Sequence, residues 1–395
     1  MAPARVQDPT TSAPGRTARR PRSLSPLVAV VAAATLSLGT VAVTSIAGAS
    51  SHRHFFSHHS SFLATLDDPS TIGTTVPSNG DVNPYGIVTV PWSTGDLVRG
   101  DTLVSNFNAK SNVQGTGTTI VELSPSGSLT VFAQLDGPLP GSCPGGVGLT
   151  TALAVLPDGY VVVGSLPTNT LGTPEQGCLI VLNSVGQAVE TWSGPDINGP
   201  WDLTAQSFGN FTQLFVTNVL NGTVGAAPGP TNQGTVVRLD VWTHHHAPQV
   251  LSETVIATGF DEQLNNAALV IGPTGVALGW DGTLYVADTL NNRIAAVPHA
   301  ASRHSAFPGG GITVSQNGGL NAPLGLMLAP NGNVIAANGG DGNAVEVAPD
   351  GTQVDVAQLD PLNSGGDLFG LTLTPQGHGI LFVDDGDNTL RLLNR

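Results

Sequence analysis

The sequence predicts an all-β protein, a six-bladed β-propeller of four-stranded antiparallel blades. The first observation is composition: the chain of 395 residues has 50 Gly and 29 Pro, but only 10% charged and 5% aromatic residues. Such a composition is typical of β proteins that are dense in turns. The second observation is an internal repeat of an apolar run, a Gly-containing turn and another apolar run. Because one small sheet cannot bury both of its faces, the repeated units are expected to stack around an axis.

The turn between the first and second strands of each unit marks the repeat. Four copies are clear and two are looser: Pro157-Asp158-Gly159, Asp281-Gly282, Pro330-Asn331-Gly332 and Pro375-Gln376-Gly377, with the looser copies after Ile87–Val90 and Leu203–Ala205. The last unit ends with its third strand at Leu390–Leu393. Residues near Thr71–Val76 are therefore predicted to supply its outer strand and to close the ring.

The best-preserved copy of the unit spans residues 272–297. It reads G-P-T-G-V-A-L-G-W-D-G-T-L-Y-V-A-D-T-L-N-N-R-I-A-A-V, and its P-x-G, D-G, Y-V-A-D and N-x-R elements resemble the NHL repeat. The resemblance implies a propeller whose relatives include peptidyl-hydroxyglycine lyases, streptogramin lyases, and the gluconolactonase and strictosidine synthase groups. No His falls on a predicted inner strand, where the amidating lyases bind zinc, and residues 81–86 lack the glutamate ligand of gluconolactonase-like enzymes. Neither catalytic set can be transferred to this chain.

Residues 1–49 have the features of a secretory signal peptide. A basic region at Arg16–Arg22 precedes an apolar run at Leu27–Val43 and a small-residue cleavage site at Ala47-Gly48-Ala49. The expected location is secreted or extracytoplasmic. Two alternatives stay open, a twin-arginine signal at Arg19-Arg20 and an uncleaved anchor, since the apolar run is nearly long enough to span a bilayer. Membrane association is expected only if the segment remains uncleaved.

The rest of the chain divides into a Ser/His-rich linker at residues 50–66 and the propeller at residues 67–395. The linker histidines are good ligands for transition metals, but a solvated linker explains them as well. Without the first 49 residues, 13 − 5 = 8 bases face 28 − 1 = 27 acids, which gives a net charge of −19. A body this acidic repels phosphate backbones, so no nucleic-acid partner is expected. The propeller is expected to be a monomer.

The even number of cysteines is consistent with an exported protein. Cys143 and Cys178 are the only cysteines of the chain, and in an oxidising compartment an even number favours a disulfide. Both fall in the predicted second blade, where a bridge would tie the loop before the blade to its third strand. The alternative is two buried free thiols, because the sequence does not reveal the separation of their Cα atoms.

A ring of polar residues is predicted where the second strands end. Carboxylate and amide oxygens are the ligands that Ca²⁺ or Mg²⁺ prefers, so the ring is a candidate metal site in the channel, although the sequence firmly implies no cofactor. Asn and Asp also bond to their own backbone at turns, which gives a structural explanation of the same pattern. The proposed metal ligands are Asn106, Asn218, Asp288, Asn338 and Asp384, with Ser165 in the remaining unit.

Aromatic residues at the start of three inner strands form a second candidate site. Tyr85, Trp201 and Phe369 are aligned with one another, with Asp202 and Asp367 as polar neighbours. In the other units the aligned residues are Leu149, Thr274 and Leu324. Aromatic rings at a channel mouth can stack on a sugar or another flat ligand. Filling of the core is the competing explanation. The run Asp384-Asp385-Gly386-Asp387-Asn388 resembles a calcium loop in composition but lacks its spacing, which favours a tight acidic turn.

Two functions follow from these observations. The lack of a complete catalytic set favours an exported, non-catalytic module that binds a protein, a glycan or a small ligand on the face formed by the longer loops. The alternative is a divalent-metal-assisted hydrolase or lyase with its site at the channel mouth, which the ring of Asn and Asp motivates.

Overall fold

The computed structural model describes residues 60–224, 229–244, 246–360, 362 and 365–395. The predicted signal peptide and most of the predicted linker lie outside these residues. In the part described, the chain forms six sheets, and its helices are four 3₁₀ turns of three residues each. None of these helices has the length and apolar character needed to cross a bilayer.

The strands follow one another in the order that a propeller requires. The first, β1 (Ser70–Thr74), precedes the blades. Blade 1 contains β2 (Val82–Thr89), β3 (Thr102–Asn108), β4 (Thr119–Leu123) and β5 (Leu129–Gln134), and blade 2 contains β6 (Leu149–Val155), β7 (Val161–Ser165), β8 (Cys178–Leu182) and β9 (Ala188–Trp192). Blade 3 contains β10 (Pro200–Phe208), β11 (Phe211–Asn218), β12 (Thr231–Trp242), β13 (Gln249–Asn265) and a short fifth strand, β14 (Leu269–Ile271).

The remaining blades have the same antiparallel order. Blade 4 contains β15 (Pro273–Leu278), β16 (Leu284–Asp288), β17 (Arg293–Val297) and β18 (Ile312–Gln316). Blade 5 contains β19 (Pro323–Leu328), β20 (Val334–Asn338), β21 (Asn343–Val347) and β22 (Gln353–Gln358), and blade 6 contains β23 (Leu368–Leu373), β24 (Ile380–Asp384) and β25 (Thr389–Leu393). The prediction of an all-β, six-bladed propeller is confirmed.

The outer strand of blade 6 comes from the N-terminal side of the chain. β1 pairs antiparallel with β25, with Ser70 opposite Leu392 and Thr74 opposite Thr389, so the sheet order is β1-β25-β24-β23. This pairing satisfies the edge of β25 and joins the two ends of the repeat. The closure predicted for residues near 71–76 is confirmed, with the strand itself at Ser70–Thr74.

Each inner strand begins with a β-bulge opposite the end of the second strand. In every blade a residue at or near the start of the inner strand pairs with the predicted ring residue, and the register shifts after that pair. The pairs are Pro84 with Asn106, Leu149 with Ser165, Pro200 with Asn218, Pro273 with Asp288, Pro323 with Asn338, and Leu368 with Asp384. Leu149 therefore matches Pro84 and not Tyr85. The alignment made from the sequence was wrong by one residue in blade 2, because the bulge there is longer.

Glycine allows the inner strands to approach closely around the axis. It follows the bulge in four blades, as Gly86, Gly275, Gly325 and Gly370. A Cβ on Gly325 would collide with the carbonyl oxygen of Phe369 on the next inner strand, and one on Gly370 would collide with that of Tyr85. The missing side chain is thus a packing requirement at this level of the channel.

The hydrophobic core lies between neighbouring blades. Most of the buried clusters join side chains of two adjacent blades, for example Ile120 of blade 1 with Val163 of blade 2, and Val286 of blade 4 with Phe215 of blade 3. Burial of such a side chain contributes about 1.5–3 kcal/mol. Because every blade takes part in two such interfaces, closing the ring stabilises all of them.

Residues 60–66, which the sequence analysis placed in the linker, pack against blade 5. The backbone N–H groups of Phe62 and Leu63 donate to the buried carboxylate of Glu346 at 2.8 Å. These hydrogen bonds attach residues 62 and 63 to the third strand of blade 5. Cys143 and Cys178 form a disulfide with a Cα–Cα distance of 5.2 Å, which ties the loop before blade 2 to its third strand as predicted.

Candidate functional site

The two ends of the propeller differ, and the candidate site lies at the end that we call the loop face. This face holds the connections between blades and those between second and third strands, whereas the opposite turn face holds the first-to-second and third-to-fourth turns. The predicted Asn/Asp ring and the predicted aromatic residues all lie towards the loop face, where second strands end and inner strands begin.

The amides of the predicted ring bond to the backbone of nearby loops. Asn218 Oδ1 accepts from the N–H groups of Asn198 and Gly199 at 3.2 and 3.4 Å. Asn106 Nδ2 donates to the carbonyl oxygen of Thr75 at 3.0 Å. These side chains satisfy backbone groups of the loops that lead into the inner strands, as the structural explanation of the ring requires.

The carboxylates of the ring are held by arginines. Arg293 Nε lies 2.6 Å from Asp288 Oδ2 across the turn between β16 and β17, and Asn291 Nδ2 donates to Asp288 Oδ1 at 3.1 Å. Arg391 Nε lies 3.1 Å from Asp384 Oδ2 in blade 6. The cations neutralise both carboxylates and fix the turns that carry them.

Several oxygens of the predicted ring already bind protein groups. Asn338 Oδ1 accepts from the N–H of Asn321 at 3.1 Å, so this ligand candidate is also occupied. In the part of the chain that the structure describes, no group of three or more His, Cys, Asp or Glu side chains is arranged to hold a metal ion. Asn106 Oδ1, by contrast, is buried without a hydrogen-bond partner, so the proposed metal site stays a prediction.

The aromatic residues predicted to bind a ligand pack against one another at the mouth of the channel. The rings of Tyr85 and Phe369 stack with centroids 3.7 Å apart, and Trp201 lies 6.2 and 6.4 Å from the two. Tyr85 also stacks on Phe107 at 4.4 Å. All three predicted residues are at most 2% exposed. The rings close the channel mouth themselves, and their use as a ligand platform stays a prediction.

A hairpin of blade 3 covers this aromatic cluster. Strands β13 and β14 form the hairpin, and the carbonyl oxygen of Val270 accepts from Trp201 Nε1 at 3.0 Å. Its tip reaches blade 1, where Gln114 Nε2 donates to the carbonyl oxygens of Asn266 and Ala267. The length of β13 and its position over the mouth were not predicted, because nothing in the repeat pattern distinguishes a longer outer strand from a loop.

Beside the closed mouth, blades 6 and 1 bring together a polar cluster centred on Asp385. With its amide nitrogen facing the carboxylate, Asn83 donates to both oxygens of Asp385 at 2.9 and 3.0 Å, and its amide oxygen accepts from Asn108 Nδ2 at 2.9 Å. The carboxylates of Asp367 and Asp384 both lie close to Gly386, the residue after Asp385. Asp385 is half-buried and Gly386 is exposed.

The electrostatics of this cluster favour proton exchange near neutral pH. Burial, followed by the charges of Asp367 and Asp384, raises the pKa of Asp385 to about 7. Burial, and then the charge of Asp385, raises the pKa of Tyr85 well above its usual range. The Tyr85 hydroxyl and Asn108 Oδ1 are buried and have no hydrogen-bond partner. Unsatisfied buried polar atoms are uncommon in folded proteins, and others on the loop face are Asn106 Oδ1, Asn198 Oδ1 and Asn218 Nδ2.

Only part of this cluster could be predicted from the sequence. The run Asp384 to Asn388 indicates an acidic turn, whereas no pattern points to Asn83 or Asn108. One feature of the sequence does distinguish this turn. Blade 6 has two adjacent acids, Asp384 and Asp385, where the matching turn of blade 4 has Asp288 followed by Thr289. Asn83, with φ of 64°, lies directly before Pro84 near the start of β2, far away in sequence.

The arrangement is that of a six-bladed propeller with a polar cluster at one side of a closed channel mouth. Comparison with protein families confirms the NHL repeat at residues 271–296, inside the copy of the unit that the sequence analysis found best preserved. No curated protein matched the chain in a sequence comparison.

Several solved structures have the same architecture. The chain superposes on a luciferin-regenerating enzyme with a TM-score of 0.52 and 11% identity, covering 83% of this chain and 95% of that one. It superposes on the calcium-binding protein regucalcin from Agrobacterium tumefaciens with a TM-score of 0.50 and 16% identity, over 82% and 93% of the two chains. A streptogramin B lyase gives a TM-score of 0.48 and 17% identity, over 85% and 99%.

At identities this low the likeness establishes the fold alone. It gives no support to the predicted non-catalytic role over an enzymatic one. The choice between the two rests on the chemistry of the residues in this chain.

Proposed function

We propose that the protein is a hydrolase or lyase for small molecules, with Asp385 as its acid–base group at the edge of the loop face. One observation carries the proposal: a half-buried carboxyl with a pKa of about 7 is held through both oxygens by Asn83. A group with this pKa exists in both protonation states at neutral pH, which suits it to accept and return a proton.

Each neighbour of Asp385 has a defined part. Asn83 is a positioning residue that fixes the plane of the carboxylate, and Asp367 and Asp384 contribute to the raised pKa. As a base, Asp385 would remove a proton from a water molecule that attacks an ester or lactone carbonyl, or from a carbon next to a leaving group. As an acid, it would return that proton to the departing oxygen, which closes the cycle.

The charge of the cluster limits the substrate class. Asp367, Asp384, Asp385 and Asp387 lie around one turn with Arg391 as the paired cation. A negative site of this kind disfavours phosphorylated or carboxylated substrates and tolerates neutral or cationic ones. Neutral esters and lactones are therefore the first substrates to test.

The test is a rate assay of the full chain on p-nitrophenyl esters and aldonolactones between about pH 5 and pH 9. The rate of ester or lactone hydrolysis should rise with pH, with an apparent pKa near that of Asp385. Asp385→Asn should lower kcat by about 10²-fold or more. Asp136→Asn, an exposed carboxylate on the same face, is the matched control and should keep wild-type rates.

Wild-type rates in Asp385→Asn would remove this residue from the mechanism. If the wild-type protein hydrolyses no member of the panel, the hydrolase proposal fails and the binding module becomes the better account.

A further inference from the structure

Behind the aromatic cluster, the inner strands of all six blades enclose a cavity of about 340 Å³. The wall extends to the turn-face ends of these strands, and a groove on the turn face shares Leu328 and Leu373 with it. The cavity is thus closed towards the loop face and accessible from the opposite end. It is separate from the cluster around Asp385.

Asp202 is the one charged residue among those that line the cavity. It stands in blade 3 at the place where four other blades have glycine after the bulge. Its carboxylate accepts from its neighbour's N–H, that of Leu203, at 2.8 Å, and from the N–H of Val276 on the next inner strand at 3.2 Å. Asp202 is 8% exposed, and no side-chain cation is among the lining residues to balance its charge.

A hydroxyl on the neighbouring inner strand has no hydrogen-bond partner. Thr151 of β6 lines the same cavity, is 4% exposed, and its Oγ1 makes no hydrogen bond. A buried carboxyl without a cation and a buried hydroxyl without a partner are both costly, and adjacent strands carry them. The rest of the wall is largely apolar, with Leu203, Val276 and Leu326 among its members.

We propose that this channel binds a small primary alkylammonium ion, with the ammonium group at Asp202 and Thr151 and the alkyl chain along the apolar wall. From the level of Asp202 to that of Ala205 the wall is three residues long, or roughly 10 Å, which matches a short alkyl chain. A divalent metal fits poorly, because it takes six or more oxygen ligands and the wall offers one carboxylate. An anion is disfavoured by Asp202 itself.

Binding should be coupled to proton release. Burial raises the pKa of Asp202 to about 8, so the free carboxyl is mostly protonated at pH 7. An ammonium ion favours the ionised carboxylate, and an alkylammonium keeps its own proton up to about pH 10. No other residue lining the cavity titrates. Affinity should therefore increase from pH 6.5 to pH 8.5, by about 10-fold or more.

The experiment is isothermal titration of the full chain with n-butylammonium chloride at about pH 6.5 and about pH 8.5. The expected result is saturable binding with one site, release of a proton on binding at the lower pH, and tighter binding at the higher pH. Asp202→Asn should weaken binding at pH 8.5 by about 10-fold or more. Asp202→Gly introduces the residue that four other blades have at this place, and it should weaken binding by a similar factor. This second variant keeps the test valid if Asp202→Asn does not fold.

Asp158→Asn changes an exposed carboxylate on the turn face and is the matched control, which should bind as the wild type does. Equal affinity in Asp202→Gly and wild type, or no binding by the wild type at pH 8.5, overturns the proposal. n-Butanol, which has the same chain but no charge, should bind at least about 10-fold more weakly than the amine.

Discussion

Two buried glutamates at equivalent places in their blades are shifted in opposite directions by their neighbours. Glu122 of β4 lies opposite Leu103, and Glu346 of β21 lies opposite Ile335, in the same register. Burial, assisted by nearby carboxylates, raises the pKa of Glu122. Burial also acts on Glu346, but the hydrogen bonds donated by Asn331 and by residues 62 and 63 outweigh it and lower the pKa. The same position of the repeat therefore holds a glutamate with a raised pKa in blade 1 and one with a lowered pKa in blade 5.

Glu346→Gln should destabilise the protein at neutral pH. The lost charge-assisted hydrogen bonds are worth about 1.5–3 kcal/mol in free energy of unfolding. Because the folded-state pKa is below the unfolded value, this stabilisation is present above the unfolded pKa and is lost as pH falls through the folded pKa. Chemical denaturation of wild type and variant should therefore differ at about pH 7 and converge towards about pH 3.

Glu122→Gln is the matched control for this measurement. Its folded pKa is raised, so the ionised carboxylate is a cost at neutral pH, and the variant should be at least as stable as wild type there. If both variants lose the same stability at neutral pH, the hydrogen bonds to residues 62 and 63 do not explain the role of Glu346.

At the scale of elements, β1 closes the ring and the hairpin of β13 and β14 closes the channel mouth. The closing strand could be predicted, because β25 is the third strand of the last copy and a fourth had to come from elsewhere. The hairpin could not, because its contacts with Trp201 and Gln114 link distant blades and leave no periodic trace in the sequence.

Deletion of residues 67–78 should lower Tm by about 10 °C or more. The deletion removes β1, exposes the edge of β25 and opens the sheet of blade 6. Thermal unfolding followed by circular dichroism measures this. A synthetic peptide of residues 67–78 should restore part of the lost Tm, whereas a scrambled peptide should not. A truncated protein with unchanged Tm would show that β1 contributes nothing to ring stability.

At the scale of the whole molecule, a closed ring carries a large negative charge. The chain has a formal net charge of −15 at pH 7. Self-repulsion of this size opposes a compact fold, and salt screens it. The salt bridges at Asp288 and Asp384 are largely buried and are screened much less, so repulsion should dominate the salt response.

Raising NaCl from about 0.05 M to about 0.5 M should increase Tm by about 2 °C or more, because salt screens the repulsion. A gain of about 1 kcal/mol in the free energy of unfolding shifts Tm by that order in a domain of this size. Differential scanning calorimetry at a fixed protein concentration measures it. Glycerol is the control for effects that do not depend on ionic strength. A fall in Tm with NaCl would mean that favourable ion pairs outweigh the net repulsion.

The amino-acid sequence by itself determined the blade number and the closing strand, because each depends on the strand period, the turn residues and a count of strands. It favoured the disulfide, but only the 5.2 Å separation of the two Cα atoms decided it. Only the tertiary structure decided which polar residues meet. Asn83 and Asn388 are 305 positions apart yet share a hydrogen bond, and the structure places Asp202 in the wall of the cavity behind the aromatic residues. The physical reason is that burial and charge proximity depend on contacts across blades, which a repeated local pattern does not encode.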